Sequence, residues 1–317
     1  GVCMAGKKKK LSKVFDYLKY DDPFAGGLTF CSGCPLELLA RFVPRVLGDD
    51  MVITGTPSCS APVLLGQNIG SWHRLPYYGT LMTGAAANAT GLARMYKRKG
   101  IKNTVVCFNG DGTASDIGFG NLSGAAERNE PFIYICYDNE GYMNTGIQRS
   151  STTPVGARTT TSPVGKMTHG KDVTSKNLPL LMAMHKIPYA ATATMSYLED
   201  LAQKLLKAKE KKEQGFCYLH VYCPCPTGWG VPTDASLDLC RMAVKTNFFP
   251  LWEAEGGEIR FTREIKKPKP ISEYTKLIKK FSHLDDEGVA RLQKDVDFNY
   301  SLLSRLSGKY GQGGLDD

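Results

Sequence analysis

Residues 103–156 read NTVVCFNGDGTASDIGFGNLSGAAERNEPFIYICYDNEGYMNTGIQRSSTTPVG, and the fold turns on this stretch. It holds two short apolar runs, TVVCF at 104–108 and FIYICY at 132–137. Both are continuously apolar and rich in β-branched or aromatic residues, the pattern of parallel strands covered on both faces. Each run ends in a polar mark: Gly110-Asp111-Gly112 after the first, Asp138-Asn139 after the second. Between them Ile117, Phe119, Leu122, Ala125 and Ala126 fall at helical spacing. The unit is therefore predicted as strand, helix, parallel strand, with a right-handed crossover. Both polar marks then stand at the carboxyl edge of the sheet, where open α/β sheets bind ligands.

The residue types at that edge suit one chemistry. Asp111 and Asn139 offer hard oxygen ligands, and with a backbone carbonyl and phosphate oxygens they would satisfy octahedral Mg²⁺. Gly110 and Gly112 lack a Cβ and let a diphosphate approach the backbone. The following helix would point its positive N-terminus at the same place. Alone, Gly-Asp-Gly also fits an ordinary strand-to-helix turn. Paired with an Asn that closes the next strand 28 positions later, it is far more specific.

Working outward, the pattern continues. A short strand is expected at 51–54, a Gly/Ala-rich helix at 81–97, and a helix at 178–185. A strand at 189–192, an amphipathic helix at 197–213 and a strand at 216–222 follow. Together these make an α/β fold with a doubly wound, mostly parallel sheet. Residues 11–20 have the spacing of a short amphipathic helix. Residues 149–172 are dense in Ser, Thr, Gly and Pro without periodicity, a loop long enough to suggest function. Beyond residue 245 the pattern weakens. We expect a main domain over 1–245 and an extended C-terminal arm over 246–317 that packs on partner subunits, with helical patches within 272–306.

The chain has 317 residues, a formal net charge of +9 and 22% charged residues, ordinary for a globular protein apart from its basic balance. The lysines come in short runs without a recognition-helix or RNA-binding pattern, so no nucleic acid is expected. An acidic partner or anionic substrate would use such a surface equally well. No apolar run reaches membrane-spanning length and no export signal is visible, so the expectation is a cytoplasmic protein without a membrane partner.

Ten cysteines call for a reason. Cys107, Cys136 and Cys217 lie in or beside predicted strands and read as small buried apolar residues. Cys31 and Cys34 form a C-x-x-C turn ahead of the helical pattern Leu36, Leu39, Phe42, Val43, Val46. Cys59 follows the 51–54 strand, and Cys223 and Cys225 follow the 216–222 strand. Such thiols can hold one metal centre, and spacing leaves zinc and iron–sulfur equally open. The five histidines are scattered and assemble no hydrolytic triad with Ser or Cys.

The string YDNEGYMNTGIQRSSTTPVGARTTTSPVG at 137–165, with Gly110-Asp111-Gly112 before it, resembles the thiamine-diphosphate-binding (beta) subunit of 2-oxoacid:ferredoxin oxidoreductases, the pyruvate:ferredoxin oxidoreductase family. The likeness runs from about residue 26 to about residue 270. It implies a thiamine-diphosphate-type sheet and oxidative decarboxylation of a 2-oxoacid. Gly110, Asp111, Gly112, Thr113, Asn139, Asn144 and Thr145 would bind the cofactor, and Asn144 would face the substrate. Asp111, Asn139 and the Gly141 carbonyl would hold Mg²⁺. Cys31, Cys34, Cys59 and Cys225 would hold a 4Fe–4S cluster, with Cys223 the rival for the fourth place. Electrons would pass through the cluster to ferredoxin.

The same likeness implies partners. Only one thiamine-type module is visible, so an alpha-type subunit would complete the site, and gamma- and delta-type subunits, one of them ferredoxin-like, would carry electrons onward. Coenzyme A as acyl acceptor stays open. The chain departs from typical pyruvate enzymes at Gly79 and Thr83, where those carry His and Glu, which leaves pyruvate, oxalate, an aryl glyoxylate or another 2-oxoacid open. Two other readings stand beside this one: a non-redox thiamine decarboxylase or synthase subunit with structural zinc, and a scaffold that keeps the fold without the cofactor.

Overall fold

The computed structural model describes residues 13–24, 29–60 and 74–308. Among these, eight strands form one sheet in the order β2-β1-β3-β4-β6-β5-β7-β8. The chain enters through α1 (Pro35–Leu47), whose Leu36, Leu39, Phe42, Val43 and Val46 all face inward as their spacing predicts. Then follow β1 (Met51–Gly55), β2 (Tyr77–Gly79), α2 (Ala85–Lys99) and β3 (Thr104–Gly110). A single π-helical turn (Gly112–Ile117) leads into α3 (Phe119–Glu127) and β4 (Ile133–Asp138). The second half runs α4 (Leu178–Ala183), β5 (Tyr189–Thr194), α5 (Leu198–Lys211), β6 (Cys217–Tyr222), α6 (Pro226–Trp229) and α7 (Ser236–Lys245).

Strands β1 to β6 pair in parallel. Every residue of β3 and β4 is buried, as expected of central parallel strands. Side chains alternate between two cores. Val106 and Phe108 face one core with α1 and α5, while Val105 and Cys107 face the other with α2 and α3. Helices therefore cover both sides, and the doubly wound architecture is present.

Three local expectations shift. Ile117 is 56% exposed, not inward. The wide π turn inserts an extra residue ahead of α3 and moves Ile117 off the face that Leu122, Ala125 and Ala126 share. Leu81, expected to start a helix, precedes a 3-10 turn (Met82–Gly84), and α2 begins at Ala85. The short helix at 11–20 is a 3-10 turn (Lys13–Tyr17), with residues 11 and 12 outside the described part.

The C-terminal segment adds two strands to the sheet. β7 (Leu251–Glu255) pairs antiparallel with β5 and β8 (Glu258–Arg263) antiparallel with β7, so residues 251–263 continue the same sheet. After them come α8 (Ser272–Thr275) and α9 (Asp286–Leu306). Ile271, Tyr274, Ile278, Phe281, Leu292 and Val296 form a third core with Met143 and Trp229, next to the ends of β4 and β6.

Candidate thiamine and metal site

The carboxyl ends of β3 and β4 open into a pocket of about 550 Å³. Gly110, Asp111, Gly112, Thr113, Asn139, Gly141, Asn144 and Thr145 all line it, together with Cys59. Parallel register explains why. Gly110 pairs with Tyr137, so Asp111 and Asn139 emerge side by side one and two residues later. The Asn139 N–H lies 3.4 Å from Asp111 Oδ1. The Asn139 side-chain amide lies 2.7 Å from the Gly141 carbonyl oxygen and 3.1 Å from Asp111 Oδ1. Adjacent ligands of octahedral Mg²⁺, at 2.0–2.1 Å from the ion, lie about 2.9 Å apart. A carboxylate, a side-chain amide and a backbone carbonyl at this spacing are the hard donors that Mg²⁺ takes, so the donor set fits Mg²⁺.

The electrostatics agree. Asp111 is buried, and burial pushes its carboxyl well above the usual carboxylate range, with the neighbouring Asp138 adding to the shift. Its other oxygen accepts from Ser150 Oγ at 2.6 Å and lies 2.9 Å from Thr152 Oγ1. Thr152 Oγ1 is also 2.9 Å from Asp138 Oδ1, and a hydroxyl with one hydrogen can donate to only one of the two. Asp138 is held in turn by His220 Nε2 at 2.8 Å, and His220 Nδ1 by Tyr218 OH at 2.7 Å. A divalent cation on Asp111 would offset this crowding of buried acids.

The glycines are needed, partly for a reason the sequence did not show. A Cβ on Gly112 would meet the Tyr142 ring at 2.5 Å. Tyr142 also donates to the Gly112 carbonyl over 3.0 Å, tying the turn after β3 to the 142–148 loop. That loop closes through Tyr142 N–H to Gln148 O, and its tip carries Asn144 and Thr145, both exposed. Asn144 Nδ2 reaches the Ser58 carbonyl at 3.5 Å. Ile147 has φ 64°, the left-handed region that a β-branched residue avoids, and such strain collects at ligand sites.

Cys31 and Cys34, Cys59, and Cys225 come from three separate stretches of the chain, and each of the four lies within electrostatic reach of the other three. Burial pushes Cys34 up to about 11 and Cys59 up to about 12. Such thiols keep their protons until a metal centre displaces them. Cys225 Sγ accepts the Gly228 N–H at 3.1 Å. Cys223 is buried in the first core, and burial pushes its thiol well above the usual range, with Cys240 and then Cys34 as its nearest electrostatic neighbours. The nine described cysteines are free thiols.

Comparison with known proteins gives the family. The model "Thiamine pyrophosphate enzyme, C-terminal TPP binding domain" matches residues 58–221. The chain is 43% identical over 291 residues to pyruvate synthase subunit PorB of Methanocaldococcus jannaschii, covering 89% of this chain and 97% of the relative. It is 38% identical to ketoisovalerate oxidoreductase subunit VorB of Pyrococcus horikoshii, covering 96% and 98%. The chain belongs to the beta subunits of the 2-oxoacid:ferredoxin oxidoreductases.

This beta subunit is also 43% identical to the beta subunit of NADH-dependent phenylglyoxylate dehydrogenase of Aromatoleum evansii. That match covers 91% of this chain but spans only 65% of the relative. Its fold matches 2-oxoglutarate:ferredoxin oxidoreductase from Magnetococcus marinus, with TM-score 0.53 and 24% identity over 74% of this chain and 82% of that one.

The beta subunit's site includes residues that sequence reading passed over. The Ser/Thr-rich loop is pinned rather than loose. Ser150 and Thr152 reach Asp111, Ser151 N–H donates to Asp116, and Lys171 Nζ donates to the carbonyls of Ser151 (3.1 Å), Thr174 (3.2 Å) and Thr153. Lys280 pairs with Glu140, both buried, and Lys280 Nζ lies 4.8 Å from the Trp229 ring centroid. Trp229 Nε1 donates to the Asn139 carbonyl over 2.8 Å. The density of hydroxyl residues at 150–153 was the one local signal for any of this. His169 and Glu37 lie apart from the pocket, His169 in solvent and Glu37 against Arg41. Gly79 and Thr83 are exposed, beside the pocket-lining Met82. His73 lies outside the described residues.

Proposed function

We propose that this chain binds thiamine diphosphate through Mg²⁺, carries a 4Fe–4S cluster beside it, and oxidatively decarboxylates a 2-oxoacid within a multi-subunit enzyme. The single observation that carries this reading is the 550 Å³ pocket in which the Asp111–Asn139–Gly141 oxygens and Cys59 share one wall. When bound, thiamine diphosphate supplies a nucleophilic carbon and electron sink, and a cluster supplies a one-electron acceptor.

The chain's own residues would do the following. Asp111, Asn139 Oδ1 and Gly141 O hold the metal, while Ser150 and Thr152 fix the Asp111 carboxylate. Gly110, Gly112 and Thr113 line the diphosphate end. Asn144 and Thr145, exposed at the pocket mouth, offer polar groups to substrate, with Asn144 the group that faces the reacting carbon. Cys31, Cys34, Cys59 and Cys225 hold the cluster. Tetrahedral zinc with sulfur at 2.3 Å needs thiolates about 3.8 Å apart. Among the described residues no three His, Cys, Asp or Glu side chains are close enough to hold one ion, and the cluster reading rests on the family likeness and on the mutual reach of the four thiols.

The substrate is a 2-oxoacid, and pyruvate, ketoisovalerate, phenylglyoxylate and oxalate are the candidates to assay. An alpha-type subunit would supply the remaining half of the thiamine site, and gamma- and delta-type subunits would lead electrons to ferredoxin. Residues 264–308 beyond the sheet, where Phe298 on α9 is exposed, would face those partners. A cytoplasmic, reducing setting suits nine free thiols. Among the described residues no helix is long and apolar enough to cross a membrane.

The test is an anaerobic assay of the purified complex against the four 2-oxoacids, with and without coenzyme A, following CO₂ and reduction of a one-electron dye. The expected result is dye reduction matched to CO₂ release, absent from the isolated chain. CO₂ release without dye reduction would establish a non-redox decarboxylase, and a denatured extract free of thiamine would establish a scaffold.

A further inference from the structure

Asp116 stands five residues after Asp111, near the far end of the π-helical turn (Gly112–Ile117). In an α-helix a residue five places on lies about 140° round the axis from the first. The π turn closes i to i+5, with the Gly118 N–H on the Thr113 carbonyl at 2.9 Å, and brings the fifth residue back toward the same face. Two carboxylates therefore meet the Ser/Thr-rich loop together. Ser150 donates to Asp111 Oδ2 over 2.6 Å. The next residue, Ser151, donates both its hydroxyl and its N–H to Asp116, the N–H at 3.2 Å.

Asp116 also holds the other side of the pocket. Tyr142 OH lies 3.1 Å from Asp116 Oδ2 and 3.0 Å from the Gly112 carbonyl. Its one hydrogen is shared between them, with the carboxylate the stronger acceptor. Tyr142 begins the 142–148 loop, which closes on itself through Tyr142 N–H to Gln148 O and Ile147 N–H to Tyr142 O. Elsewhere that loop is tied to Thr160 and, at 3.5 Å, to the Ser58 carbonyl, neither of them on the turn after β3. The half-buried Asp116 carboxylate thus has one oxygen on each loop.

We propose that Asp116 is a positioning residue for the reaction: it fixes the mouth loop that carries Asn144 against the loop that holds Asp111, and so sets the substrate end of the pocket relative to its metal end. The inference rests on the proposed reading that Mg²⁺ and thiamine diphosphate bind at Asp111 and that Asn144 faces the substrate. Asp116 stands outside the pocket lining and acts through Tyr142 and Ser151. Its two arms have separable consequences. Tyr142 governs Asn144, where a displacement of about 1 Å can cost a hundredfold in rate. Ser151 governs the hydroxyls on Asp111, and partners behind a metal ligand change metal affinity about 10- to 100-fold.

The experiment uses the complete complex with the 2-oxoacid it turns over, and titrates Mg²⁺ and thiamine diphosphate into cofactor-stripped samples by calorimetry. Tyr142→Phe keeps the ring against Gly112 and removes one hydroxyl. It is expected to lower kcat about tenfold with the cofactor Kd unchanged. Ser151→Ala is expected to raise the cofactor Kd severalfold, with the rate recovered in excess cofactor. Asp116→Ala shows both effects, and Tyr142→Phe costs less in that background than alone, because the two side chains share one bond. Contacts that served stability alone would change both constants together through the folded fraction and give no such division. Unchanged kcat in Tyr142→Phe overturns the inference, as do Tyr142→Phe and Asp116→Ala effects that multiply independently. If Asp116→Ala does not fold, the opposed Tyr142→Phe and Ser151→Ala pair decides alone. A wild-type complex that binds no thiamine diphosphate refutes the proposed function instead.

Discussion

Ser150 donates its hydroxyl to Asp111 Oδ2 over 2.6 Å, across 39 residues of sequence. This bond links the irregular 149–172 loop to the end of the central strand β3. With Thr152 beside it, the loop fixes one oxygen of the carboxylate and leaves the other facing Asn139 and Gly141. The loop thus forms the back wall of the proposed metal site, and several consequences can be measured.

Asp111→Asn is expected to stabilise the metal-free protein while abolishing cofactor binding. The folded-state pKa of Asp111 is raised, by burial first and then by Asp138. Above the unfolded pKa the ionised group therefore disfavours folding, and neutral Asn removes that cost. The metal-free melting temperature should rise by a few degrees. The gain from Mg²⁺ and thiamine diphosphate, about 2.7 kcal/mol at a hundredfold excess over Kd, should vanish. Thermal melts with and without cofactor check both.

Cys225→Ser should lower the iron content and the broad visible absorption of anaerobically purified protein, whereas Cys223→Ser should leave both unchanged. Cys225 lies within reach of Cys31, Cys34 and Cys59, while Cys223 packs in the first core. Iron analysis of the two variants side by side decides the fourth ligand.

Lys280→Met should cost about 3–5 kcal/mol, because it leaves Glu140 buried without its counter-charge. Glu140→Gln/Lys280→Met should cost less than Lys280→Met alone, since the orphaned charge is gone. Denaturant unfolding of the single and double variants gives the comparison. Trp229 stacks against the same ammonium and donates to Asn139, so the single variant should also weaken cofactor retention.

Lys171 gives a pH dependence. Burial pushes its ammonium down to about 8, with Arg149 adding to this and Asp116, Asp295 and Glu140 opposing it. Between about pH 8 and the ordinary lysine range near 10.5, the unfolded chain holds a proton that the folded one has released. Stability therefore rises with pH across that window, and the penalty for the buried charge is fully present below pH 8. Lys171→Met should flatten the rise. Melting temperatures of both proteins from pH 7 to pH 10 test it, and a parallel pair of curves would count against a buried charged Lys171.

Much of this was legible in one dimension. Strand ends, the Gly110-Asp111-Gly112 turn and the Asn139 mark follow from short-range rules: apolar runs make buried strands, and polar residues at their ends fall on one edge. β7 and β8 were not legible. Both carry charged residues at the sheet margin, and β8 is largely exposed, so neither shows the apolar run that marks a central strand. Ile117 was misplaced because a π turn changes the helical phase without any residue-type signal.

By itself the sequence determined the parallel α/β core and the polar residues at its carboxyl edge. These depend on residue type and local period. Only the tertiary structure brought Cys225 within reach of Cys31, Cys34 and Cys59 and buried Cys223 in the first core. Only the tertiary structure showed that Ser150 and Thr152 reach Asp111, that Lys171 pins the loop that carries them and that Lys280 pairs with the buried Glu140. Those relationships join residues far apart in the chain, and the packing of all the layers together brings them within bonding distance.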